Sequence, residues 1–189
     1  MTHRLKILFL GHSNSGKTSI IRRWTGQSID VEPTFAIEVT SHVIHYRDKI
    51  IKIRLSDTSG QDSYRNLLDG YIKDTTIIVL VYDTTNRKSW EGSLWWMNRI
   101  SKCDTSKVVF LIGNKIDRES KRCVHKKEVD YHVSICHLNR LYTGECSAIS
   151  GENIKEMYHM LLTSLETVEL IDIWTKPVPS ENQNGCKIV

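Results

Sequence analysis

The stretch Gly11 to Thr18, which reads GHSNSGKT, constrains this chain more than any other and fits the pattern G-x-x-x-x-G-K-[ST]. A buried strand is predicted before it at residues 5–10, and a helix after it at residues 18–24. Glycines allow a tight strand-to-helix turn, in which backbone N–H groups and the helix start face a phosphate. In this pattern Lys17 reaches the β- and γ-phosphates of a nucleotide, and the Thr18 hydroxyl binds Mg²⁺. The flanking elements disfavour the alternative, a turn that binds nothing.

The composition is that of an ordinary globular domain. With 189 residues the chain is long enough for one domain with a proper core. A net charge of +4 without a basic stripe does not indicate nucleic-acid binding. Five scattered cysteines predict reduced cytosolic thiols. We expect no secretory signal before the first strand, and no apolar run approaches the ~20 residues of a membrane-spanning helix.

Predicted strands alternate with predicted helices. Strands are expected at residues 35–46, 50–55, 77–82, 108–112 and 141–143, and later helices at 89–102 and 153–173. The first two of these strands form an antiparallel hairpin, whereas the long apolar runs are typical of strands in a parallel sheet. We therefore predict an α/β fold, a P-loop NTPase domain with about six mostly parallel strands, one antiparallel edge strand and about five helices. The domain is expected to span residues 1–173, followed by a flexible tail at 174–189. The basic pairs 121–122 and 126–127 are expected on a solvated loop.

A second motif follows the strand at residues 50–55 and reads DTSGQ from Asp57 to Gln61. In open α/β sheets, ligands lie beyond the carboxyl ends of the strands, which is where this motif falls. The Asp57 carboxylate can hold the shell of Mg²⁺, Gly60 can offer its N–H to a γ-phosphate, and Gln61 can orient an attacking water. A simple polar turn is the alternative reading. The phosphate loop in the same chain disfavours it.

A third motif, NKID at residues 114–117, follows the strand at 108–112. The Asp117 carboxylate can accept hydrogen bonds from the N1–H and 2-amino groups of guanine, whereas adenine has no matching donors. Lys115 can lie along the base, and Asn114 can tie this loop to the phosphate loop. Four residues alone are a weak signal, but their position after a strand in a chain with a phosphate loop favours guanine over adenine.

Together these motifs resemble those of small GTPases of the Ras superfamily, and within it the Rab family most closely. The resemblance covers about residues 4–173. Thr34 stands where this family has its switch I threonine, and residues 57–62 are similar to its D-T-A-G-Q-E motif. Residues 146–148 (CSA) are similar to its final T-S-A, whose alanine N–H meets the guanine O6. Residues 64–74 and 81–83 resemble segments typical of Rabs.

The resemblance implies a GTP/GDP switch with Mg²⁺, in which Gln61 serves catalysis and Thr18, Thr34 and Asp57 serve the metal. Exchange factor, GTPase-activating protein and effectors would bind through switch regions 27–36 and 59–71. Hydrolysis is expected to be slow, because no arginine in the motifs can act as an arginine finger. The nucleotide contacts that the resemblance implies are Ser13, Asn14, Ser15, Gly16, Lys17, Thr18, Ser19, Thr34, Gly60, Asn114, Lys115, Asp117, Ser147, Ala148 and Ile149.

The chain also departs from the Rab pattern. His12 and Asn14 replace an acidic residue and a glycine of the phosphate loop, although Asn14 tolerates a left-handed backbone better than most residues. Ser59 replaces an alanine beside the γ-phosphate and is expected to perturb the attacking water. Ile149 replaces a lysine that supports the base. The link from Lys17 to Thr34 is shorter than usual, from which we expect altered nucleotide exchange.

Partner recognition is expected to be divergent as well. Rabs expose an aromatic triad to effectors, and the matching positions here are Val39, Ser56 and Tyr71, so one aromatic remains. Of the adjacent Trp95 and Trp96, only one can face the sheet, and the exposed one is a candidate interface residue.

The tail ends with the sequence CKIV, which has the C-a-a-X layout for prenylation of Cys186. A single lipid without a polybasic patch implies reversible attachment to the cytosolic face of intracellular membranes. A plain C-terminus without lipid is the alternative.

Three functions stay open on the sequence. The first is a hydrolysing Rab-type switch in vesicle traffic. The second is a GTP-binding scaffold that barely hydrolyses, which Asn14, Ser59 and the short switch I favour. The third is an ATP-using P-loop kinase, which the NKID motif disfavours.

Overall fold

The computed structural model describes residues 5–29, 34, 36–46, 49–60 and 68–167. Six strands form one sheet in the order β2-β3-β1-β4-β5-β6, in which only the β2–β3 pair is antiparallel. The strands are β1 (Leu5–Leu10), β2 (Ile37–Tyr46), β3 (Lys49–Thr58), β4 (Ile77–Asp83), β5 (Val108–Asn114) and β6 (Arg140–Cys146). The helices are α1 (Lys17–Trp24), α2 (Asp69–Asp74), α3 (Arg87–Cys103), α4 (Lys126–Ser134) and α5 (Ile154–Thr167), with a short 3₁₀ helix at Ile116–Lys121. The predicted mostly parallel sheet with an antiparallel edge strand is confirmed.

Apolar side chains pack on both faces of this sheet. Successive residues of β1 point to opposite faces, as the pleat of a strand requires. Phe9 packs in the cluster that α1 and α5 cover, and Leu8 packs in the cluster that α2, α3 and α4 cover. β4 and β5 are buried along their whole length, because helices cover both of their faces. The carboxyl ends of the parallel strands therefore meet at one edge of a rigid core.

Several element bounds differ from the prediction. β3 continues to Thr58 and β6 spans seven residues, because backbone ladders extend past the apolar runs: Thr58 pairs with Ile37, and Cys146 pairs with Asn114. Backbone hydrogen bonds form whatever the side chain, so polar strand ends carry no apolar signal. The two helices α2 and α4 were not predicted, since each buries a single residue, Ile72 or Val129.

The two basic pairs are only partly as predicted: Lys121, Lys126 and Lys127 are exposed, but the expected loop and a solvated Arg122 are wrong. Lys126 and Lys127 form the first turn of α4. The Arg122 side chain is only 12% exposed, and its guanidinium lies 2.7 Å from the Glu119 carboxylate and 2.9 Å from that of Glu145. These carboxylates raise its pKa. Arg122 therefore ties the segment before α4 to β6.

The tryptophans of α3 divide between core and surface. Trp90 is fully buried and Trp96 is 3% exposed, whereas Trp95 is 37% exposed. The expectation that one of the adjacent pair is exposed is confirmed. Within the described residues, no helix is long and apolar enough to cross a membrane.

Candidate functional site

The loop between β1 and α1 wraps around the amine of Lys17. Gly11 and Gly16 have φ angles of 140° and 95°, and Asn14 has φ of 60°, so the loop uses three left-handed or otherwise positive-φ residues. The expectation that Asn14 accommodates this backbone is confirmed. A Cβ on Gly11 would lie 2.1 Å from the Val81 carbonyl oxygen, so only glycine fits against β4 at that point.

The Lys17 ammonium donates to the carbonyl oxygens of Gly11 at 3.0 Å and His12 at 3.1 Å. The residue is 5% exposed, and burial lowers the pKa of its amine to about 8 although Asp57 opposes the shift. Within the described residues this buried amine has only carbonyl oxygens as hydrogen-bond partners. A phosphate would stabilise its charged form, so the amine can bind an anion. Lys17 thus has the position that the loop pattern predicts.

Oxygen atoms from three separate segments meet beside the loop. The Thr18 hydroxyl donates to Asp57 Oδ2 at 2.5 Å, and the Thr34 hydroxyl lies 3.0 Å from that of Thr18 and 3.3 Å from Asp57 Oδ2. Asp57 is 4% exposed, and burial raises the pKa of its carboxyl group against the hydrogen bonds of both threonines. Its other oxygen, Oδ1, is buried and has no hydrogen-bond partner in the described residues. Hydroxyl and carboxylate oxygens are the ligands that Mg²⁺ prefers, so these residues fit that ion.

The end of β3 lies directly against the phosphate loop. The Ser13 N–H donates to the Gly60 carbonyl oxygen at 3.1 Å, and a Cβ on Gly60 would lie 2.2 Å from the Ser13 nitrogen. The neighbouring Ser59 N–H donates to the Ala36 carbonyl oxygen at 2.7 Å. The Ser59 hydroxyl is buried without a hydrogen-bond partner in the described residues. A movement of the segment after β3 would therefore displace the phosphate loop.

The NKID motif is bonded to the phosphate loop through two side chains. The Asn114 amide donates to the Ser15 carbonyl oxygen at 2.9 Å, and the Lys115 ammonium donates to the Asn14 carbonyl oxygen at 2.7 Å. Lys115 itself has a left-handed backbone with φ of 71°. The predicted tie from Asn114 to the phosphate loop is confirmed, and Lys115 adds a second tie that was not predicted.

Asp117 and the CSA segment approach each other at the same edge of the sheet. The Ser147 hydroxyl donates to Asp117 Oδ1 at 2.5 Å, and the Ala148 N–H donates to Asn114 Oδ1 at 3.1 Å. Ser147 and Ala148 are buried, whereas the Ile149 side chain is 54% exposed. The Ala148 N–H, which the resemblance assigns to the guanine O6, is therefore already donated to Asn114.

The remaining predicted nucleotide contacts lie on the same loop and helix. Ser15 is fully buried, and its hydroxyl has no hydrogen-bond partner in the part of the chain that the structure describes. Ser19 is half-buried in the first turn of α1. Gln61 and Cys186, most of switch region 59–71 and part of switch region 27–36 lie outside the described residues.

Two polar side chains that sequence reasoning missed support this site. Asp83, at the end of β4, forms an ion pair of 2.8 Å with Lys115. Arg23, near the end of α1, donates from Nε to the Ala148 carbonyl oxygen at 2.8 Å, and it donates from its terminal nitrogen to the Ile149 carbonyl. Asp83 lies within the segment 81–83 that resembles Rabs, so that resemblance could have indicated its role. No sequence signal indicates Arg23.

The three positions of the expected effector triad differ in exposure. Val39 and Tyr71 are 46% and 38% exposed, whereas Ser56 is 8% exposed. Ser56 lines a shallow depression together with Leu8, Arg54 and Tyr71. A small side chain therefore stands at the middle position, between two exposed apolar ones.

The residues of this site lie within a match to a known protein family. A family model described as the Ras family matches residues 6–167. The matched range begins in β1 and ends with α5, so it includes every residue of the site described above.

Proposed function

Because the chain belongs to the Ras family of small GTPases, we propose that it is a Rab-type GTP/GDP switch that regulates vesicle traffic and hydrolyses GTP slowly. Family membership supports a guanine-nucleotide switch in general terms, with GTP hydrolase activity and binding of regulators and effectors. The Rab-type role rests on the resemblance of residues 64–74 and 81–83 to Rab segments.

The contact of Thr34 with Thr18 and Asp57 carries this proposal. Thr34 comes from the segment between α1 and β2, yet its hydroxyl lies 3.0 Å from that of Thr18 in the first turn of α1. A segment held by such a contact can be ordered by a ligand at that point and released when the ligand changes. The same three side chains would hold Mg²⁺, which when bound neutralises charge on the β- and γ-phosphates.

The other side chains of the site have separable roles in this proposal. Lys17 binds phosphate oxygens, and its neighbours at 11 and 12 keep the amine pointing into the loop. Asp117 accepts from the guanine N1–H and 2-amino groups, while Asn114 holds the base motif against the phosphate loop. Gln61 would orient the attacking water, and a partner protein would supply an arginine to the transition state.

Membrane attachment and partner choice belong to the same proposal. Prenylation at Cys186 would place the protein reversibly on the cytosolic face of intracellular membranes. Effectors would bind through regions 27–36 and 59–71 and the surface at Val39 and Tyr71. Since Ser56 offers no aromatic ring there, effectors that require a complete aromatic triad are expected to bind poorly.

A GTP-binding scaffold with little hydrolysis is the second candidate. The buried Ser59 hydroxyl without a partner in the described residues favours it, because this group stands beside the place of the γ-phosphate and can hold water away from the attacking position. The two candidates share the site and differ only in the rate of hydrolysis.

One experiment separates these functions. Labelled GDP and GTP are bound with ATP as competitor, and phosphate release is then followed in a single turnover, with and without an arginine-donating activator. We expect tight guanine-nucleotide binding, no competition by ATP and slow release. Tight GTP binding without release under either condition would favour the scaffold, and competition by ATP would contradict both.

Thr34→Ala tests the contact of Thr34 with Thr18 and Asp57, which is the observation that carries the proposal. It should weaken binding of Mg²⁺–GTP more than that of Mg²⁺–GDP, because the family's switch I threonine binds the metal in the GTP state. Thr163→Ala, an exposed change on α5, is the matched control. Equal losses for both nucleotides would count against a switch.

The lipid and the cellular role need their own measurements. Intact mass of protein purified from a eukaryotic cell should show a prenyl group, which Cys186→Ser abolishes together with membrane recovery. An unmodified Cys186 in a wholly soluble protein would overturn the anchor. Loss of the protein should slow a membrane transport step, and unchanged transport would count against the Rab-type role.

A further inference from the structure

We propose that Arg23 is a positioning residue for guanine binding, which holds the backbone of the base loop and aims the Ile149 N–H at the guanine O6. The base loop is defined here as residues 147–151. This inference rests on the proposed guanine-nucleotide function and assigns to it a side chain outside the motifs.

The contact itself is a two-point clamp between distant parts of the chain. Arg23 and Ala148 are 125 positions apart, and Arg23 Nε donates to the Ala148 carbonyl oxygen at 2.8 Å. The terminal nitrogen of the same guanidinium donates to the next carbonyl, that of Ile149. The guanidinium also covers Gly151, where an added Cβ would lie 3.9 Å from Arg23 Cζ. The rigid fork of a guanidinium fixes two adjacent peptide units at once.

This clamp sets the direction of one free backbone donor. No peptide bond is cis in the described chain, so the Ile149 N–H points away from the Ala148 carbonyl that Arg23 holds. The Ala148 N–H is already donated to Asn114 Oδ1 at 3.1 Å. Among the described residues, the Ile149 N–H has no hydrogen-bond partner. It is therefore the donor that an acceptor on the base can take without breaking an existing bond.

In the described residues, the other hydrogen bonds of the base loop come from the loop itself, from residues 152–154 just after it or from the NKID motif. The Gly151 N–H donates to the Ser147 carbonyl at 2.9 Å, and the Ser147 hydroxyl donates to Asp117. The Ile149 side chain is 54% exposed and so adds little packing. Arg23 comes instead from α1, whose first turn carries Lys17 and Thr18. About 9 Å of continuous helix thus separates the phosphate-binding end from the residue that holds the base loop.

The test compares the release of GDP with that of 6-thio-GDP. The thio nucleotide keeps the N1–H and 2-amino groups that face Asp117 and replaces only the O6 acceptor with sulfur. Arg23→Gln should speed GDP release about tenfold or more, which is the effect of losing one to two ordinary hydrogen bonds. Wild-type protein should release 6-thio-GDP faster than GDP, and in Arg23→Gln this ratio should fall towards one.

The ratio distinguishes positioning from general loosening. A merely structural role would speed the release of both nucleotides equally and leave the ratio unchanged, which would overturn the inference. Arg140→Gln is the matched control, because it removes the same guanidinium from an exposed site at the start of β6. GDP release from Arg23→Gln at the rate of this control would also overturn the inference.

Arg23→Lys keeps the test decisive if Arg23→Gln does not fold. Arg23→Lys retains the charge and one donor, so its rate of GDP release and its nucleotide ratio should lie between those of wild type and Arg23→Gln. Where Arg23→Gln does not fold, the rate of GDP release from Arg23→Lys should still exceed that of wild type. Wild-type values for Arg23→Lys in both measurements would then refute the clamp. Failure of wild-type protein to bind GDP would refute the proposed function instead, and with it the premise of this inference.

Discussion

The Asp83 carboxylate lies 2.8 Å from the Lys115 ammonium, and this ion pair joins the end of β4 to the base motif. Only 7% of the Asp83 side chain and 11% of the Lys115 side chain are exposed. Burial raises the pKa of Asp83, but hydrogen bonds from Lys115 and Thr85 outweigh it and leave the pKa below its usual value. Asp83 is therefore ionised at neutral pH and holds Lys115 against the Asn14 carbonyl.

Removing the charge of Asp83 should weaken both the fold and nucleotide binding. Asp83→Asn keeps the shape of the side chain but leaves the buried ammonium of Lys115 without its carboxylate, which we expect to cost about 2 kcal/mol of unfolding free energy. GDP release should become faster, because Lys115 no longer holds its position. Urea unfolding and nucleotide release measure the two effects. Asp130→Asn, an exposed change on α4, is the control, and identical behaviour of the two variants would contradict this role.

Much of the fold and most of the nucleotide site could be predicted from the sequence, because both depend on short local signals. Apolar runs mark β4 and β5, which are buried on both faces. The motif residues Asp57 and Asn114 lie in the last residues of strands, and Lys17 begins the helix that follows β1. Parallel strands bring their carboxyl ends to one edge, so local order along the chain predicts proximity in space.

The supporting side chains could not be predicted, because their partners are distant in sequence. Arg23 meets a carbonyl 125 positions away, and Arg122 meets Glu145, 23 positions away. The sequence around a surface arginine is the same whether its side chain faces solvent or hydrogen-bonds to a distant part of the chain. The helix α4 was missed for a related reason, since a helix with a single buried residue has almost no apolar period.

Gly16→Ala should accelerate nucleotide release by breaking the tie between the phosphate loop and the base motif. Gly16 has φ of 95°, and an added Cβ would lie 2.1 Å from the Asn114 amide nitrogen. That amide donates to the Ser15 carbonyl, so the methyl group displaces the side chain that joins the two motifs. We expect GDP release at least ~10-fold faster, the effect of about one lost hydrogen bond plus backbone strain. Gly26→Ala, where φ is also positive but the space around the Cβ is open, is the control for strain alone.

Nucleotide binding should take up a proton at mildly alkaline pH. Burial lowers the pKa of Lys17 to about 8, so a rising pH leaves more of the amine uncharged, whereas phosphates favour its charged form. Affinity should therefore fall as the pH rises above about 8, and the proton uptake on binding should grow over the same range of pH. Titration calorimetry in two buffers of different ionisation enthalpy measures this uptake. In Lys17→Arg the guanidinium stays charged, so most of the pH-dependent uptake should vanish; uptake equal to wild type would exclude Lys17 as its source.

Ser59→Ala should stabilise the nucleotide-free protein. The Ser59 hydroxyl is buried without a hydrogen-bond partner in the described residues, which costs a folded protein about 1–3 kcal/mol, and alanine removes the hydroxyl while keeping the backbone bond to Ala36. We expect an increase of ~1 kcal/mol in the unfolding free energy, measured in urea with a metal chelator present. Ser93→Ala is the control, because its buried hydroxyl already donates to the Trp90 carbonyl at 2.7 Å and its removal should bring no gain.

The same Ser59→Ala variant tests whether this hydroxyl limits the rate of GTP hydrolysis. If the hydroxyl disturbs the attacking water, its removal should raise the single-turnover rate of phosphate release from GTP while GDP release stays unchanged. A rate equal to that of wild type would show that this hydroxyl does not limit hydrolysis, and would leave the low-hydrolysis scaffold without the observation that favours it. The unfolding free energy and the hydrolysis rate of Ser59→Ala thus report separately on the effect of this one buried hydroxyl.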